Sequence, residues 1–209
     1  MTLDWYFDFI SPFAYLQFAR LSELPQGVEL RLEPVLLAAI LNHWGQIGPA
    51  EIAPKRRFTY QHVSWLAARA GVPLSLPSGH PFNSLPLLRL ARALGPSRDV
   101  VGRLFRFVWA EGHIPQEPDA WHALLAELGV PGYTESPAVK EALRAATEQA
   151  IARGVFGVPT TIVDGQLLWG YDATDMLLDY CRDPGLLATR EMRRIDELPI
   201  AAARPRKAP

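Results

Sequence analysis

This chain of 209 residues has a single cysteine, Cys181. It can form no internal disulfide, contains no CxxC pair and cannot build a cysteine metal cluster. Its five histidines (His43, His62, His80, His113 and His122) show neither HxxxH nor HExxH spacing. No metal site is therefore expected. An excess of basic charge is also missing: 21 Lys and Arg face 22 Asp and Glu, for a net charge of −1. The short basic stretches, Lys55 to Arg57, Arg190 to Arg194 and Arg204 to Lys207, are not interleaved with aromatics. A nucleic-acid partner, which needs a basic stripe, is not expected. No apolar run approaches the roughly eighteen residues of a spanning helix. No basic segment precedes the N-terminal apolar run, and Asp4 and Asp8 interrupt it, so no signal peptide is expected. These absences point to a soluble cytoplasmic protein with no membrane contact.

What is present is an ordinary globular balance, 49% hydrophobic and 21% charged, in a chain long enough to bury a core without staples. Residues 3–10 (LDWYFDFI) are aromatic and branched and read as a strand. Ser11-Pro12 follows, a cap residue and then a proline suited to the first helical position, so a helix is expected from Pro12 to about Glu23. Residues 28–33 alternate strictly and read as a half-buried strand. Together these make a β-α-β unit. Residues 36–153 are helical in character, with helices expected at 50–70, 85–94, 98–110, 118–128 and 137–153, each bounded by polar, Gly or Pro residues. Residues 160–163 are β-branched. Asp164-Gly165 is a hairpin pair, because that turn needs positive φ. Residues 166–169 are the return strand, and an amphipathic helix is expected over 173–180. Asp172, with Asp175 three residues on, resembles a capping box.

The order is β-α-β, a long helical block, then β-β-α. The expected organisation is a discontinuous α/β unit (1–35 and 154–185), a helical insertion (36–153) and a partly disordered tail (186–209), with disorder strongest over Ala201 to Pro209.

Two segments stand out chemically: Phe9 to Tyr15 at a strand-to-helix junction, and Gly154 to Thr161 just before a strand. In this element order they can meet at one edge of the sheet. The pairing of FDFISPFAYL with GVFGVPTTIVDGQLLWGYDATDML closely resembles the 2-hydroxychromene-2-carboxylate isomerases. These stand with the kappa-class glutathione transferases in the DsbA-like branch of the thioredoxin superfamily. The resemblance spans about residues 3–182, more loosely in the insertion through PVLLAAI and PKRR.

The resemblance implies a thioredoxin-like fold with a large all-helical insertion, glutathione as cofactor, an aromatic small-molecule substrate and a homodimer. Ser11 falls where redox relatives carry the first cysteine of CxxC, and Ala14 where they carry the second, so no disulfide can cycle there. A helix N-terminus favours a thiolate, and the Ser11 hydroxyl can donate to it. Ser11 is the expected catalytic residue; its plainer role is to cap the helix. Val158-Pro159 resembles the fold's cis-proline element, whose backbone pairs with glutathione as an added strand would. Lys55 matches a lysine that pairs with a glutathione carboxylate, and Tyr171-Asp172 the pair that receives the γ-glutamyl end. Gln46 stands where the family usually has Asn, with Asn42 nearby. Trp44, Tyr60, Phe82 and Trp109 are candidates for an apolar acceptor pocket, although core packing accounts for each as well.

Three activities fit this reading. The first is glutathione-dependent isomerisation of an aromatic conjugated pyruvate by thiolate addition, bond rotation and elimination. The second is a kappa-type transferase or peroxidase that consumes glutathione. The third is a non-catalytic module that binds a peptide along the cis-proline edge.

Overall fold

A computed structural model describes residues 1–202. Its sheet has four strands in the order β2-β1-β3-β4. They are β1 (Thr2–Phe7), β2 (Glu29–Pro34), β3 (Thr160–Val163) and β4 (Gln166–Trp169). β1 runs parallel to β2 and antiparallel to β3, and β3 antiparallel to β4. Helix α1 (Pro12–Arg20) crosses between β1 and β2, and α8 (Thr174–Arg182) follows β4. This is the thioredoxin-like arrangement that the resemblance implied.

β1 is mostly apolar, with Thr2 and Asp4 the exceptions, because it is central and covered on both faces. Leu3, Trp5 and Phe7 are fully buried along one side, and Tyr6 is buried on the other. Trp5 stacks on Phe7 at 4.6 Å, and both rings pack near Phe105. Each such ring contributes about 2–3 kcal/mol of burial. The expected strand over 3–10 is cut short at Phe7. The reason lies in Asp8: its carboxylate accepts from the Ile10 N–H at 3.1 Å, and its carbonyl accepts from the Ser11 N–H at 3.0 Å. This side-chain turn takes the backbone out of the ladder.

Between β2 and β3 lie six helices among the described residues: α2 (Leu37–Trp44), α3 (Ala53–Ala70), α4 (Leu85–Leu94), α5 (Arg98–Trp109), α6 (Pro118–Glu127) and α7 (Pro137–Ala152). α2 is an addition to the expected helices. The others stand within a few residues of them. Ser97 and Ser136 cap α5 and α7, accepting from Val100 N–H and Val139 N–H. At the hairpin, Asp164 and Gly165 both have positive φ (49° and 79°), as the turn pair implied.

The expected tail is ordered in its first part. Residues 184–188 form a 3₁₀ turn and α9 (Arg190–Arg194) follows. Leu186 and Leu187 pack on the cluster of Leu3, Leu177 and Tyr180. Of the expected disordered end, residues 203–209 lie outside the described residues.

Candidate active site

The register of β1 against β3 pairs Tyr6 with Thr160. The residues that follow β1 and those that precede β3 therefore leave the sheet at the same end. One loop carries Ser11, the other Val158 and Pro159.

Ser11 is the N-cap of α1. Its Oγ accepts from the Ala14 N–H at 3.2 Å, and the residue is 6% exposed. Accepting that bond leaves the hydroxyl proton unused, so capping and donation to a ligand are compatible. The loop under Ser11 is held by Asp8, which is 1% exposed. Besides Ile10, the Asp8 carboxylate accepts from the Leu37 N–H at 2.9 Å, and the Ser84 hydroxyl also donates to it. One side chain thus joins β1, the Ser11 loop and the starts of α2 and α4. Burial pushes its pKa from 3.8 up to about 6, against the opposing pull of these donors.

The Val158–Pro159 peptide bond is cis. The Pro159 carbonyl accepts from the Gly170 N–H at 2.9 Å, whereas the N–H and C=O of Val158 make no hydrogen bond with the described residues. They present an open edge for an extended ligand. Trp169 is half exposed, packs against Phe156 at 5.1 Å and lies over Gly157.

Gln17 ties α1 to β1 and to the turn that follows β4. Its side chain accepts from the Trp5 indole at 2.7 Å and donates to the Gly170 carbonyl at 2.9 Å and the Thr174 hydroxyl at 3.0 Å. α1 is thereby locked to the turn that carries Asp172. That residue is exposed, and its carboxylate accepts no hydrogen bond from the described residues. The expected capping box is absent: Ala173 is the N-cap of α8, with no side-chain bond, and Asp175 instead pairs with Arg20 at 2.6 Å. Gly170 has a φ of 96°, a conformation that favours glycine, and the Asp172 carboxylate lies over it.

Lys55 is exposed in the first turn of α3 and forms no ion pair with the described residues. Gln46 is exposed just after α2. The Trp44 indole donates to the Val155 carbonyl at 2.9 Å, anchoring the end of α2 to the segment that leads into Val158. Tyr171 is placed differently from the expectation. It borders a cleft with Arg20, Leu66, Arg69 and Val72, at the far end of α1 from Ser11. Trp109 takes the core-packing alternative. It is fully buried, its indole donates to the Phe9 carbonyl at 2.8 Å, and it belongs to the core, not to a pocket wall. Phe82 is half-buried with its ring edge toward His80 at 6.0 Å.

His80 was not singled out by the sequence. Its Nε2 lies 2.8 Å from the Ile10 carbonyl, and its Nδ1 lies 2.8 Å from the Tyr60 hydroxyl. Burial lowers its pKa, with the Arg56 charge acting in the same direction. A lone histidine beside a proline carries no spacing signal. The contact with Ile10 spans 70 positions and arises only from the fold.

Comparison with known proteins agrees with this architecture. Residues 2–182 match the model of the DSBA-like thioredoxin domain. The chain is 31% identical over 192 residues to a 2-hydroxychromene-2-carboxylate isomerase of Sphingobium xenophagum, covering 87% of this chain and 98% of that one. It is 26% identical over 200 residues to the glutathione S-transferase kappa 1 of Homo sapiens, covering 84% and 88%. The solved structure of a 2-hydroxychromene-2-carboxylate isomerase superposes with a TM-score of 0.74 at 29% identity, covering 94% and 98%. On this evidence the chain belongs to the DSBA-like thioredoxin domain family, in the group that contains the 2-hydroxychromene-2-carboxylate isomerases and the kappa-class glutathione transferases.

Proposed function

We propose that this protein is a glutathione-dependent isomerase acting on an aromatic conjugated pyruvate of the 2-hydroxychromene-2-carboxylate type. The observation that supports this most is the free hydroxyl proton of Ser11 at the start of α1, on the same sheet end as the unpaired backbone of Val158. The donor set fits glutathione: a hydroxyl for sulfur, an open strand edge for its peptide groups, and Lys55 and Asp172 for its charged ends. Gln46 keeps an amide donor on the insertion side.

Bound glutathione supplies a thiolate that adds to the substrate's conjugated double bond, allows rotation about the resulting single bond and then leaves. In this reading the α1 N-terminus lowers the thiol pKa. Ser11 donates to the sulfur while remaining hydrogen-bonded to Ala14, which holds it in one orientation. Val158 aligns the tripeptide as an extra strand. A homodimer and a cytoplasmic setting belong to the same proposal.

Calorimetric titration with reduced glutathione tests the site. Wild type should bind, and Lys55→Ala should bind about tenfold more weakly, the loss of one charge-assisted contact. Absence of binding at millimolar glutathione would refute the reading. The kinship with kappa-class transferases favours a second reading, in which glutathione is consumed. Product analysis separates them: isomerisation returns all the glutathione, and conjugation does not.

A further inference from the structure

The cleft beside the Ser11 loop has a volume of about 330 Å³, within the range of small-ligand sites. Arg56, Tyr60 and His80 line it together with residues 76–79. Arg56 and Tyr60 stand four residues apart on α3 and share one face. Arg56 is exposed and forms no ion pair with the described residues. The polar groups of this cleft converge, which an ordinary surface dent does not require.

The protons in it can be assigned by chemistry. The Ile10 carbonyl can only accept, so His80 Nε2 must carry the hydrogen. In the neutral ring Nδ1 is then an acceptor, and Tyr60 shares its one proton between it at 2.8 Å and the more distant His80 carbonyl at 3.2 Å. The Tyr60 oxygen therefore keeps lone pairs for whatever enters the cleft. Burial raises the Tyr60 pKa and lowers that of His80. Both groups are thus neutral near pH 7, and the 2.8 Å hydrogen bond between them is the path a relayed proton would take. Arg56 is the charged group facing both rings. It opposes a standing charge on His80 until an anion neutralises it.

We propose that Tyr60 is a catalytic acid–base group backed by His80, and that Arg56 receives the substrate carboxylate. This rests on the isomerase reading given above and concerns a step that glutathione does not perform: opening of the cyclic 2-hydroxy form. The 2-hydroxyl gives its proton to the Tyr60 oxygen as the Tyr60 proton moves to His80 Nδ1. The carbonyl bond forms at C2, and the bond from C2 to the ring oxygen breaks with its electron pair on that oxygen. The pair then returns one proton to the ring oxygen, giving the phenol and restoring neutral His80. Both oxygens are attached to the same carbon, so one tyrosine oxygen can serve both. No outside acid, base or oxidant enters. His80 acts through Tyr60 and is a positioning residue with a titratable nitrogen.

The test measures conversion of 2-hydroxychromene-2-carboxylate with reduced glutathione across pH 5 to 9. It compares wild type, Tyr60→Phe, His80→Gln and Arg56→Gln, and titrates each with glutathione by calorimetry. Tyr60→Phe should lower kcat by about a hundredfold, the usual contribution of a positioned acid–base group, with glutathione affinity and melting temperature unchanged. His80→Gln keeps a donor toward Ile10 and should retain the fold while losing the acidic limb of the pH profile. Arg56→Gln should raise KM about tenfold with little change in kcat. Nitrogen NMR of the free protein supplies a readout without substrate: His80 should be the Nε2–H tautomer. The opposite tautomer, or a Tyr60→Phe variant within threefold of wild type, overturns the proposal while leaving the glutathione site standing. A wild type that neither binds glutathione nor converts the substrate removes the isomerase reading, and this step with it.

Discussion

Replacing Asp8 by Asn should abolish one component of the pH dependence of stability. Asp8 is 1% exposed, and its pKa is raised from 3.8 to about 6. Between those values the folded chain holds a proton that the unfolded chain has released. Stability therefore falls as pH rises through this window. The contribution is fully present below about pH 3.8 and is lost as pH passes through about 6. At about 1.4 kcal/mol for each pH unit between the two values, the loss is about 3 kcal/mol. In a protein of this size that corresponds to roughly 6–12 °C in melting temperature. Several exposed carboxylates, among them Glu23, Glu117 and Glu127, are shifted the opposite way. The quantity to read is therefore the difference between wild type and Asp8→Asn, from urea unfolding at pH 4, 5, 6, 7 and 8. Asn turns an amide donor or a single acceptor toward the Leu37 N–H, which adds a constant offset but no titration. The difference should change by about 2.4 kcal/mol, in favour of Asn, between pH 4 and pH 8, the rest of the effect lying below pH 4. A difference that is flat across this range would refute the burial argument.

Gln17→Leu should cost about 2–3 kcal/mol, because it leaves the buried Trp5 indole without a partner and strips the Gly170 carbonyl of one of its two donors, the Ala173 N–H remaining; chemical denaturation measures it. Gly170→Ala should destabilise the protein and weaken glutathione binding, since the φ of 96° disfavours alanine and the new Cβ would push the Asp172 carboxylate aside. Thermal shift and calorimetry would report the two effects separately. Ser11→Ala should cost about 1 kcal/mol as a lost N-cap and should also slow isomerisation; unchanged kinetics would remove Ser11 from the mechanism.

The elements most legible in the sequence are those with local causes. Ser11-Pro12 marks the start of α1, and Asp164-Gly165 marks the hairpin, because cap and turn chemistry act over a few residues. The end of β1 was less legible: its hydrophobic pattern continues through Phe9 and Ile10, while the Asp8 turn that breaks the ladder depends on donors from residues 37 and 84. Helix α2 has no side-chain cap, and its start is held by the same distant carboxylate. Of the site residues, Ser11, Val158 and Pro159 stood out through motif resemblance. The surroundings of Trp109 and Tyr171 could not be read, because an aromatic residue carries no sequence sign of which cleft or core it faces. His80 escaped notice since both of its partners come from other elements.

The central place of β1 has a consequence for how the chain is made. Its partner β2 emerges from the ribosome soon after it, but β3 follows about 150 residues later. At cellular synthesis rates that delay is roughly 8–30 s. Throughout it, one side of β1 has no strand to pair with, and Leu3, Trp5 and Phe7 lack part of their cover. A nascent chain in this condition is a natural client for a chaperone that holds extended apolar segments. Codon choices that slow translation of the helical insertion would lengthen its exposure and lower the yield of folded protein.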